Sequence, residues 1–272
     1  RYITCPNQTV SDSKNHHPGI DNRGPFLAMN PFSSRCCQHN HAQGWPYYAE
    51  HLILATPDNG VAAAMYAACK ATVKVGDGNE ISLHEQTNYP FEETIRFTVN
   101  TPKAVSFPFY LRIPSWTEGA TIFVNGKKVA ANPEAGQYAC INREWKDNDQ
   151  VEIQLPMQLS MRTWQVNKNS VSVDYGPLTM SLKIDEDYVK KDSRATAIGD
   201  SKWQEGADAS QWPTYEIYAK TPWNYALVLG KNEPLKDFKV VHKEWPADNF
   251  PFTVASTPIE AVSYTHLTLP TT

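Results

Sequence analysis

The sequence predicts a mainly β protein with two β-sandwich domains, which a loop and a single helix precede. Apolar and polar residues alternate in many short runs between positions 60 and 160, a pattern typical of strands with one buried face. Turn-forming residues separate these runs at short intervals, and no helical pattern lies between them. A helical period occurs just after the first forty residues and indicates the helix.

The composition is that of a folded protein with room for more than one domain. A chain of 272 residues suits two domains, or one domain and part of another. With 41% hydrophobic and 20% charged residues and a net charge of -4, the chain is neither a disordered protein nor a basic nucleic-acid-binding protein. Its apolar runs are shorter than the ~20 residues that cross a bilayer. We therefore expect neither a nucleic acid nor a membrane as a partner.

Residues 1–57 form a region without strand patterns. Residues 1–42 are rich in Pro, Gly, Asn, Ser and His and show no period, which predicts a loop. Residues 43–55 carry bulky side chains at helical spacing: Trp45, Tyr48, Leu52 and Ile53. This pattern predicts a helix of about three turns, with Pro46 in its first turn and Pro57 just after its end. Since such a helix is marginal in water by itself, we expect its aromatic stripe to lack most of its packing partners and to be exposed.

We assign residues 58–162 to a first β-sandwich domain. Its alternating runs predict strands at 72–75, 81–83, 95–99, 107–113, 122–124 and 151–155. The run from Asp58 to Gly60 predicts the turn that opens the domain, and the run from Gly76 to Gly78 predicts a turn between its first two strands. The dipeptide Asn125-Gly126 is a strong signal for a tight hairpin.

We assign residues 163–262 to a second β-sandwich domain with shorter strands and longer loops. Its strands are predicted at 171–173, 178–184, 215–218, 225–229 and 238–241. Residues 190–211 are charged and rich in small side chains, which predicts a long surface loop. The last segment, residues 263–272, resembles the translated read-through of a sequencing adapter. We expect it to be a non-native tail that is not part of the fold.

The five cysteines favour reduced thiols and a metal over disulfides. Their number is odd and their spacing is irregular. Cys36 and Cys37 are adjacent, and a disulfide between neighbours would close a strained ring. Both lie in a polar, histidine-rich run, and zinc takes thiolate and imidazole ligands in a tetrahedron. Zinc also lowers the pKa of a bound thiol, so that a thiolate nucleophile can form at neutral pH.

Other interpretations of these residues stay open. Cysteines are often inert packing residues, although the arginine and histidine neighbours of Cys36 and Cys37 favour a functional site. We take His39, His41 and Trp45 as candidate substrate-binding residues. The two histidines could instead bind the metal or donate to a loop carbonyl, and Cys37 and His41 would share one helix face if the helix began early. Tryptophans offer flat faces to sugar rings, but most tryptophans in sandwiches fill cores.

Several segments resemble the β-L-arabinofuranosidases of glycoside hydrolase family 127 (GH127). Residues 35–52, continued by residues 55–60, are similar to the double-cysteine region of that family. Further similar segments are Glu85-Gln86-Thr87-Asn88-Tyr89-Pro90-Phe91, Leu111-Arg112-Ile113-Pro114-Ser115-Trp116, Val124-Asn125-Gly126 and Tyr175-Gly176-Pro177-Leu178. The ordered set spans about residues 15 to 260 and is more specific than the double cysteine alone.

The resemblance implies an architecture and a mechanism. A helical (α/α)6 barrel would carry the active site, and this chain would hold the last loop and helix of that barrel, residues 1–57, followed by the two sandwiches. Cys36 would be the nucleophile of a retaining, exo-acting glycosidase. Cys36 and Cys37 would bind zinc together with a Glu and a third Cys from a Glu-x-Cys motif, and that Glu is also the implied acid/base catalyst. The implied substrate is a glycan that contains L-arabinofuranosides.

The sequence departs from the family pattern at the Glu-x-Cys motif. No glutamate precedes Glu50, and no cysteine has a Glu two positions before it. We therefore expect the acid/base Glu and the other zinc ligands to lie upstream of Arg1, and this chain alone neither to hydrolyse glycosides nor to hold zinc tightly. Gln38 and His39 stand where many members have Pro-Pro, and this departure puts the identity of the substrate sugar in question. The alternative is a non-catalytic carbohydrate-binding or accessory β-sandwich protein whose cysteines are structural.

Overall fold

The computed structural model describes residues 36–131, 133–196, 203, 205–223, 227, 233–236 and 238–263. The chain divides into two compact units. Unit 1 comprises Arg1–Pro46, Leu182–Val228 and Thr265–Thr272, and unit 2 comprises Tyr47–Ser181 and Leu229–Tyr264. The domain boundaries after residues 57, 162 and 262 stay predictions. The non-native tail also stays a prediction, and all of it except Ser263 lies outside the described residues.

Unit 2 contains a β-sandwich of ten strands, which we name the first sandwich. Its strands are β1 (Ile53–Ala55), β2 (Val61–Ala63), β3 (Cys69–Val75), β4 (Asn79–Thr87), β5 (Thr94–Asn100), β6 (Val105–Arg112), β7 (Thr121–Val124), β8 (Lys127–Lys128), β9 (Tyr138–Trp145) and β10 (Asp149–Gln154). They form a four-stranded sheet in the order β1-β2-β6-β9 and a six-stranded sheet in the order β3-β4-β5-β10-β7-β8. Neighbouring strands are antiparallel except β2 and β6, which are parallel.

The alternating pattern of the sequence builds the core of the first sandwich. In β5, Ile95, Phe97 and Val99 are fully buried, while the residues between them are not. Phe97 of the six-stranded sheet meets Phe109 of the four-stranded sheet edge to face, with ring centroids 5.3 Å apart. Because successive side chains of a strand point to opposite faces, the buried faces of the two sheets enclose one core. The predicted mainly β fold is confirmed.

Two predicted turns of the first sandwich are confirmed. Asn125 and Gly126 join β7 to β8 with φ values of 51° and 75°, as a two-residue hairpin turn requires. The Asn125 side chain adds to this turn, because its Oδ1 accepts from the Gln150 amide at 2.8 Å. Gly76 and Gly78, with φ values of 54° and 82°, lie in the turn that joins β3 to β4.

The remaining strands form three small sheets, which we name the later sheets. In unit 2 these are β11 (Leu159–Trp164), β12 (Ser170–Tyr175) and β13 (Leu178–Met180) in one sheet, and β16 (Phe238–His242) with β17 (Ile259–Ser263) in another. In unit 1, β14 (Glu186–Lys191) pairs with β15 (Thr214–Ala219). Short helical segments are η1 (Gln165–Asn167) and α2 (Ser193–Thr196). A small core of Met157, Tyr175 and Ile259 lies among the later sheets of unit 2.

Two predictions for this part of the chain differ from the structure, and a third lies mostly outside the described residues. The strand predicted at 178–184 ends at Met180, because β13 pairs with β12 only over Leu178–Met180. The surface loop predicted at 190–211 contains the end of β14 and helix α2, where the buried Ser193 donates to the Trp212 carbonyl at 2.6 Å. The strand predicted at 225–229 lies outside the described residues except for Leu227, which is not in a strand.

The helix predicted at 43–55 exists, but its bounds were wrong. Helix α1 spans Cys36–Glu50 and contains Pro46 in its interior. It begins earlier because the polar run after Cys36 has neither Pro nor Gly before Gly44 to oppose a helix. It ends earlier because Ile53–Ala55 forms β1 and pairs with β2, so that tertiary pairing overrides the helical spacing of Ile53. Among the described residues, no helix is long and apolar enough to cross a bilayer.

Candidate active-site region

The structure places Cys36 and Cys37 in the first turn of helix α1. Adjacent positions of a helix point about 100° apart, whereas positions 37 and 41 lie one turn apart on the same face. The early start of the helix thus meets the condition under which Cys37 and His41 share a face. The side chains of Cys36, Cys37, His39 and His41 lie outside the described residues, so their contacts and roles stay predictions.

The aromatic stripe of α1 is exposed, as the sequence predicts. Trp45 is 64% exposed, Tyr47 is 65% exposed and Tyr48 is 38% exposed. Leu52, which the sequence placed in the same stripe, is buried instead because it lies after the end of the helix and faces the first sandwich. The exposed indole of Trp45 suits the predicted contact with a sugar ring, and that contact remains a prediction.

The last turn of α1 is fixed to the first sandwich by hydrogen bonds. The Tyr48 hydroxyl donates to the Tyr66 carbonyl at 3.3 Å. The Leu52 carbonyl accepts from the backbone amides of Ala64 at 2.9 Å and Met65 at 3.3 Å. His51 lies 2.6 Å from the Tyr47 carbonyl through Nδ1, which must carry the proton to donate to an oxygen. These bonds hold the residues between helix and first strand in one conformation.

A buried carboxyl lies close to this anchor, in a group that we name the Glu85 cluster: Glu85, Cys69, Tyr66, Tyr89 and Arg112. Glu85 is 1% exposed and is directly opposite Cys69 in the β3–β4 pair. Its Oε1 accepts from the Ala67 amide at 3.1 Å, and its Oε2 lies 3.6 Å from the Cys69 sulfur, which donates to it. The carboxyl therefore has two polar partners, neither of them a cation.

This environment keeps both titratable groups protonated. Burial raises the pKa of Glu85 to about 8, and the hydrogen bonds from Cys69 and Ala67 oppose that rise only in part. Burial first, and then the neighbouring Glu85, raise the pKa of the Cys69 thiol to about 12. Cys69 is therefore a thiol at neutral pH and not a nucleophile. The pair is a structural contact of the first sandwich, because Glu85 is buried where a substrate cannot reach it.

Tyrosine and arginine side chains close the cluster on its other side. The Tyr66 hydroxyl donates to the Arg112 carbonyl at 2.6 Å, and Arg112 Nε donates to the Ala64 carbonyl at 2.6 Å. The Arg112 guanidinium carbon lies 6.0 Å from the centroid of the Tyr66 ring, a cation–π contact. Tyr89 meets the same ring edge to face at 5.8 Å. Burial raises the pKa of both tyrosines, so both stay neutral hydrogen-bond donors.

The sequence did not single out the Glu85 cluster as a site, although a signal for it was present. Ile81, Leu83 and Glu85 occupy the same face of β4, and the first two are buried apolar residues. A carboxyl that continues such an alternation must lie in the core and must be protonated or hydrogen-bonded there. Glu85 and Arg112 also belong to two of the segments that carried the family resemblance, and the structure brings these two segments together.

The donors near the start of α1 match zinc in type. Two thiols and a histidine near the start of α1 match zinc in donor type, but a structural or catalytic zinc site takes three or four protein ligands. In the described part of the chain, no group of three His, Cys, Asp or Glu side chains could hold a metal ion. In that part of the chain, the partly buried Cys69–Glu85 contact supplies only two such side chains. Zinc binding by Cys36 and Cys37 stays a prediction, and such a site would need further ligands.

Comparisons with known proteins agree with the fold and the resemblance. A solved structure described as a glycoside hydrolase shares 30% sequence identity with this chain at a TM-score of 0.53, covering 59% of this chain and 27% of its own. The structure of a GH127 β-L-arabinofuranosidase from Geobacillus stearothermophilus T6 is similar in fold, with 24% identity, a TM-score of 0.51, and coverage of 62% of this chain and 30% of its own. The chain thus spans less than a third of these solved relatives. No curated protein matches the sequence.

The family comparison covers the first sandwich from β2 to β10. Residues 60–157 match the model of the β-L-arabinofuranosidase GH127 middle domain. The matched segment begins at the turn before β2, contains the Glu85 cluster and ends just after β10. The predicted resemblance to GH127 is confirmed over this segment, which is similar to the GH127 middle domain.

Proposed function

We propose that this chain supplies the nucleophile and the sandwich domains of a retaining exo-glycosidase that acts on β-L-arabinofuranosides. The observation that carries the proposal is the order of two features: a helix that begins at two adjacent cysteines, and a GH127 middle domain that follows it directly and holds its last turn. Two adjacent cysteines by themselves would not support a function. Their position immediately before this domain supports the proposed one.

In this proposal Cys36 is the nucleophile, and Cys36 and Cys37 are zinc ligands. Bound zinc would lower the pKa of the thiols, so that a thiolate is present at neutral pH. The Cys36 sulfur bonds to the anomeric carbon while the bond from that carbon to the leaving oxygen breaks, and an acid protonates the leaving oxygen. In the second step the conjugate base of that acid takes a proton from water, the water oxygen bonds to the anomeric carbon, and the carbon–sulfur bond breaks to release the thiolate, so that the configuration is retained.

The proposal gives supporting roles to three further residues. His39 and His41 contact the thiolates or the substrate hydroxyls, and the Trp45 ring provides a face for the apolar side of the sugar. The Trp45 ring is 64% exposed in this chain, so either a sugar or the proposed helical barrel could cover it. The implied partner is a glycan with terminal L-arabinofuranosyl groups.

The acid/base Glu is proposed to come from residues beyond these 272. No Glu-x-Cys motif occurs in the sequence. Glu85 has the raised pKa that an acid catalyst needs, but it is 1% exposed and enclosed by the first sandwich, so a glycan cannot reach it. We therefore expect the isolated chain to show no turnover of an aryl β-L-arabinofuranoside and no tight zinc binding.

The experiment that tests this proposal uses the complete reading frame that contains the chain. The purified protein is assayed with an aryl β-L-arabinofuranoside, and its zinc content is measured by mass spectrometry. We expect Cys36→Ser to abolish turnover and Cys37→Ser to lower both turnover and zinc content. Cys140→Ser is the matched control, because Cys140 is an exposed cysteine of the first sandwich.

Two results would contradict the proposal. Full activity of the Cys36→Ser protein would show that Cys36 is not the nucleophile. Activity of zinc-free protein would show that the reaction does not need the metal. Either result with a folded protein would favour the alternative, in which the cysteines are structural and the sandwiches serve as carbohydrate-binding or accessory domains.

A further inference from the structure

The six-stranded sheet of the first sandwich carries a groove on the face opposite the core. Its volume is about 350 Å³, within the range of small-ligand sites. The residues that line it come from four neighbouring strands and one turn: Gln86, Arg96, Phe97, Thr98, Phe123, Gly126, Gln150, Val151, Glu152 and Gln154. Phe97 and Val151 are buried below the groove, so its floor belongs to the rigid core.

Four of these side chains form one row across the sheet. Gln86 of β4 is directly opposite Arg96 of β5, Arg96 is opposite Glu152 of β10, and Glu152 is opposite Phe123 of β7. Directly opposite residues on one face of a sheet lie within about 5.5 Å of each other, so the row is continuous. It offers an amide, a guanidinium, a carboxylate and an aromatic ring in sequence.

Hydrogen bonds hold the middle of this row in place. Arg96 Nε donates to Glu152 Oε2 at 2.8 Å, and Gln154 Nε2 donates to Glu152 Oε1 at 2.9 Å. Thr121 Oγ1 in turn donates to Gln154 Oε1 at 3.3 Å. The Arg96 side chain remains 62% exposed, so its terminal nitrogens point to a face that solvent can reach. A site held by its own hydrogen bonds loses little entropy when a ligand binds.

The chemistry of the groove selects an uncharged, hydroxyl-rich ligand. Among the described residues that line it, the charged side chains are Arg96 and Glu152, and their ion pair cancels their charges. Amide, guanidinium and carboxylate groups each present two polar atoms in one plane, which match neighbouring hydroxyls of a sugar ring. The half-buried ring of Phe123 supplies an apolar surface for the CH face of that ring.

We propose that this groove is a non-catalytic binding site for a neutral oligosaccharide. It needs no thiolate and no zinc, and it lies wholly within residues 60–157, so it is independent of the proposed hydrolytic chemistry. Its role would be to hold a glycan chain on the surface of the middle domain while a chain end is processed elsewhere.

The test measures binding of linear arabinohexaose to the 272-residue chain by calorimetry and by NMR shifts of labelled backbone amides. We expect a dissociation constant on the order of 0.1–1 mM, since the site is open and shallow. We also expect shifts confined to β4, β5, β7 and β10. Replacing Phe123 or Arg96, as Phe123→Ala or Arg96→Gln, should weaken binding about tenfold.

The matched control is Arg162→Gln, because Arg162 also forms a cross-strand ion pair, with Asp174 at 3.3 Å, on a different sheet. It should leave binding unchanged. If Phe123→Ala does not fold, Gln86→Ala tests the exposed end of the same row. Absence of binding for arabinohexaose, cellohexaose and mannohexaose would overturn the proposal. Equal loss in the control, or tighter binding of polygalacturonate than of any neutral chain, would overturn it as well. A failure of the Cys36 experiment leaves these outcomes unaffected.

Discussion

The first sandwich and the later sheets are both made of short antiparallel strands, yet they differ in how deeply their strands are buried. In β5, β6 and β10, every second residue is buried in one core. By contrast, β11 and β14 have no buried residue. The described part of the later sheets has a core of only a few side chains around Met157, Tyr175 and Ile259.

This difference indicates which region of the chain contributes most to the free energy of unfolding. Two sheets that face each other bury both inner faces, whereas an isolated two-stranded sheet is at best marginally stable in water. Among the described residues, β14–β15 and β16–β17 are two-stranded sheets. The first sandwich therefore has the features of an independent folding unit, and the described strands of the later sheets do not. The predictions below test this contrast at matched positions.

The largest expected effect is on the core tryptophan of the first sandwich. Trp145 is fully buried, its Nε1 donates to the Phe107 carbonyl at 3.0 Å, and its ring packs against Phe107 and Phe109. Trp145→Ala should lower the free energy of unfolding by about 4 kcal/mol, through a cavity and an unpaired carbonyl. Urea unfolding followed by circular dichroism measures the change.

Trp164 provides the matched change in the later sheets. Its ring is 43% exposed and carries the Arg162 guanidinium 4.4 Å from its centroid. Trp164→Ala should cost no more than about 1 kcal/mol, the value of an exposed cation–π contact. Equal losses of unfolding free energy for Trp145→Ala and Trp164→Ala would contradict the difference in burial between the two regions.

The same contrast explains how much of the fold the sequence predicts. The strands with strict alternation, such as β5 around Phe97 and β10 around Val151, were predicted because one face is apolar and the other polar. β9 was missed because the polar and charged residues around Ile141 hide its alternation. β1 was assigned to the helix because Ile53 also fits a helical period, and only its pairing with β2 decides between the two.

The candidate site was predictable in part, for a different physical reason. The adjacent cysteines are a local motif, so their place before the segments that resemble GH127 was visible in the sequence. The contact of Cys69 with Glu85 is not local, since it depends on the register of β3 and β4. The turn at Gly76–Gly78 sets that register by pairing Val75 with Asn79, and a shift of one residue would turn Glu85 away from the core. Local sequence motifs therefore do not predict the contact between Cys69 and Glu85.

Glu85 also gives the next largest expected effect, which depends on pH. In the folded chain Glu85 keeps its proton up to a pKa of about 8, whereas its ordinary pKa is 4.5. Between these values the folded state binds more protons than the unfolded state, so stability is greatest at low pH and falls as the pH rises. The loss between pH 5 and pH 8 should be about 3 kcal/mol. Glu85→Gln, which keeps the shape of the neutral acid, should remove this loss in urea unfolding at the two pH values.

The matched variant in the later sheets is Glu216→Gln. Glu216 is also buried, but it faces the Lys191 ammonium at 2.8 Å, and its hydrogen bond raises the pKa of that lysine. The partner therefore stays charged at both pH values, and the effect of the substitution should be the same at pH 5 and pH 8. A wild-type chain and a Glu85→Gln chain with identical pH dependence would show that Glu85 is not protonated in the fold.

The smallest expected difference between the two regions is at two glycines, one in each region. Gly60, in the turn between β1 and β2, has no room for a side chain, because an added Cβ would lie within 2.5 Å of Pro108 Cγ and still closer to the Pro108 carbonyl oxygen. Gly176, between β12 and β13, has a φ of +55°, and an added Cβ would lie 2.6 Å from Met157 Cγ. The first obstacle is backbone of the first sandwich, and the second is a flexible side chain.

Gly60→Ala should therefore cost about 2–3 kcal/mol, since the β6 backbone cannot move without disturbing the core. Gly176→Ala should cost about 1 kcal/mol, mostly from the left-handed backbone conformation, because Met157 can change its rotamer. Urea unfolding of both variants beside the wild type measures the two costs. A larger loss for Gly176→Ala would mean that the later sheets around Met157 are packed as rigidly as the first sandwich, and the contrast between the two regions would then be one of size and not of packing.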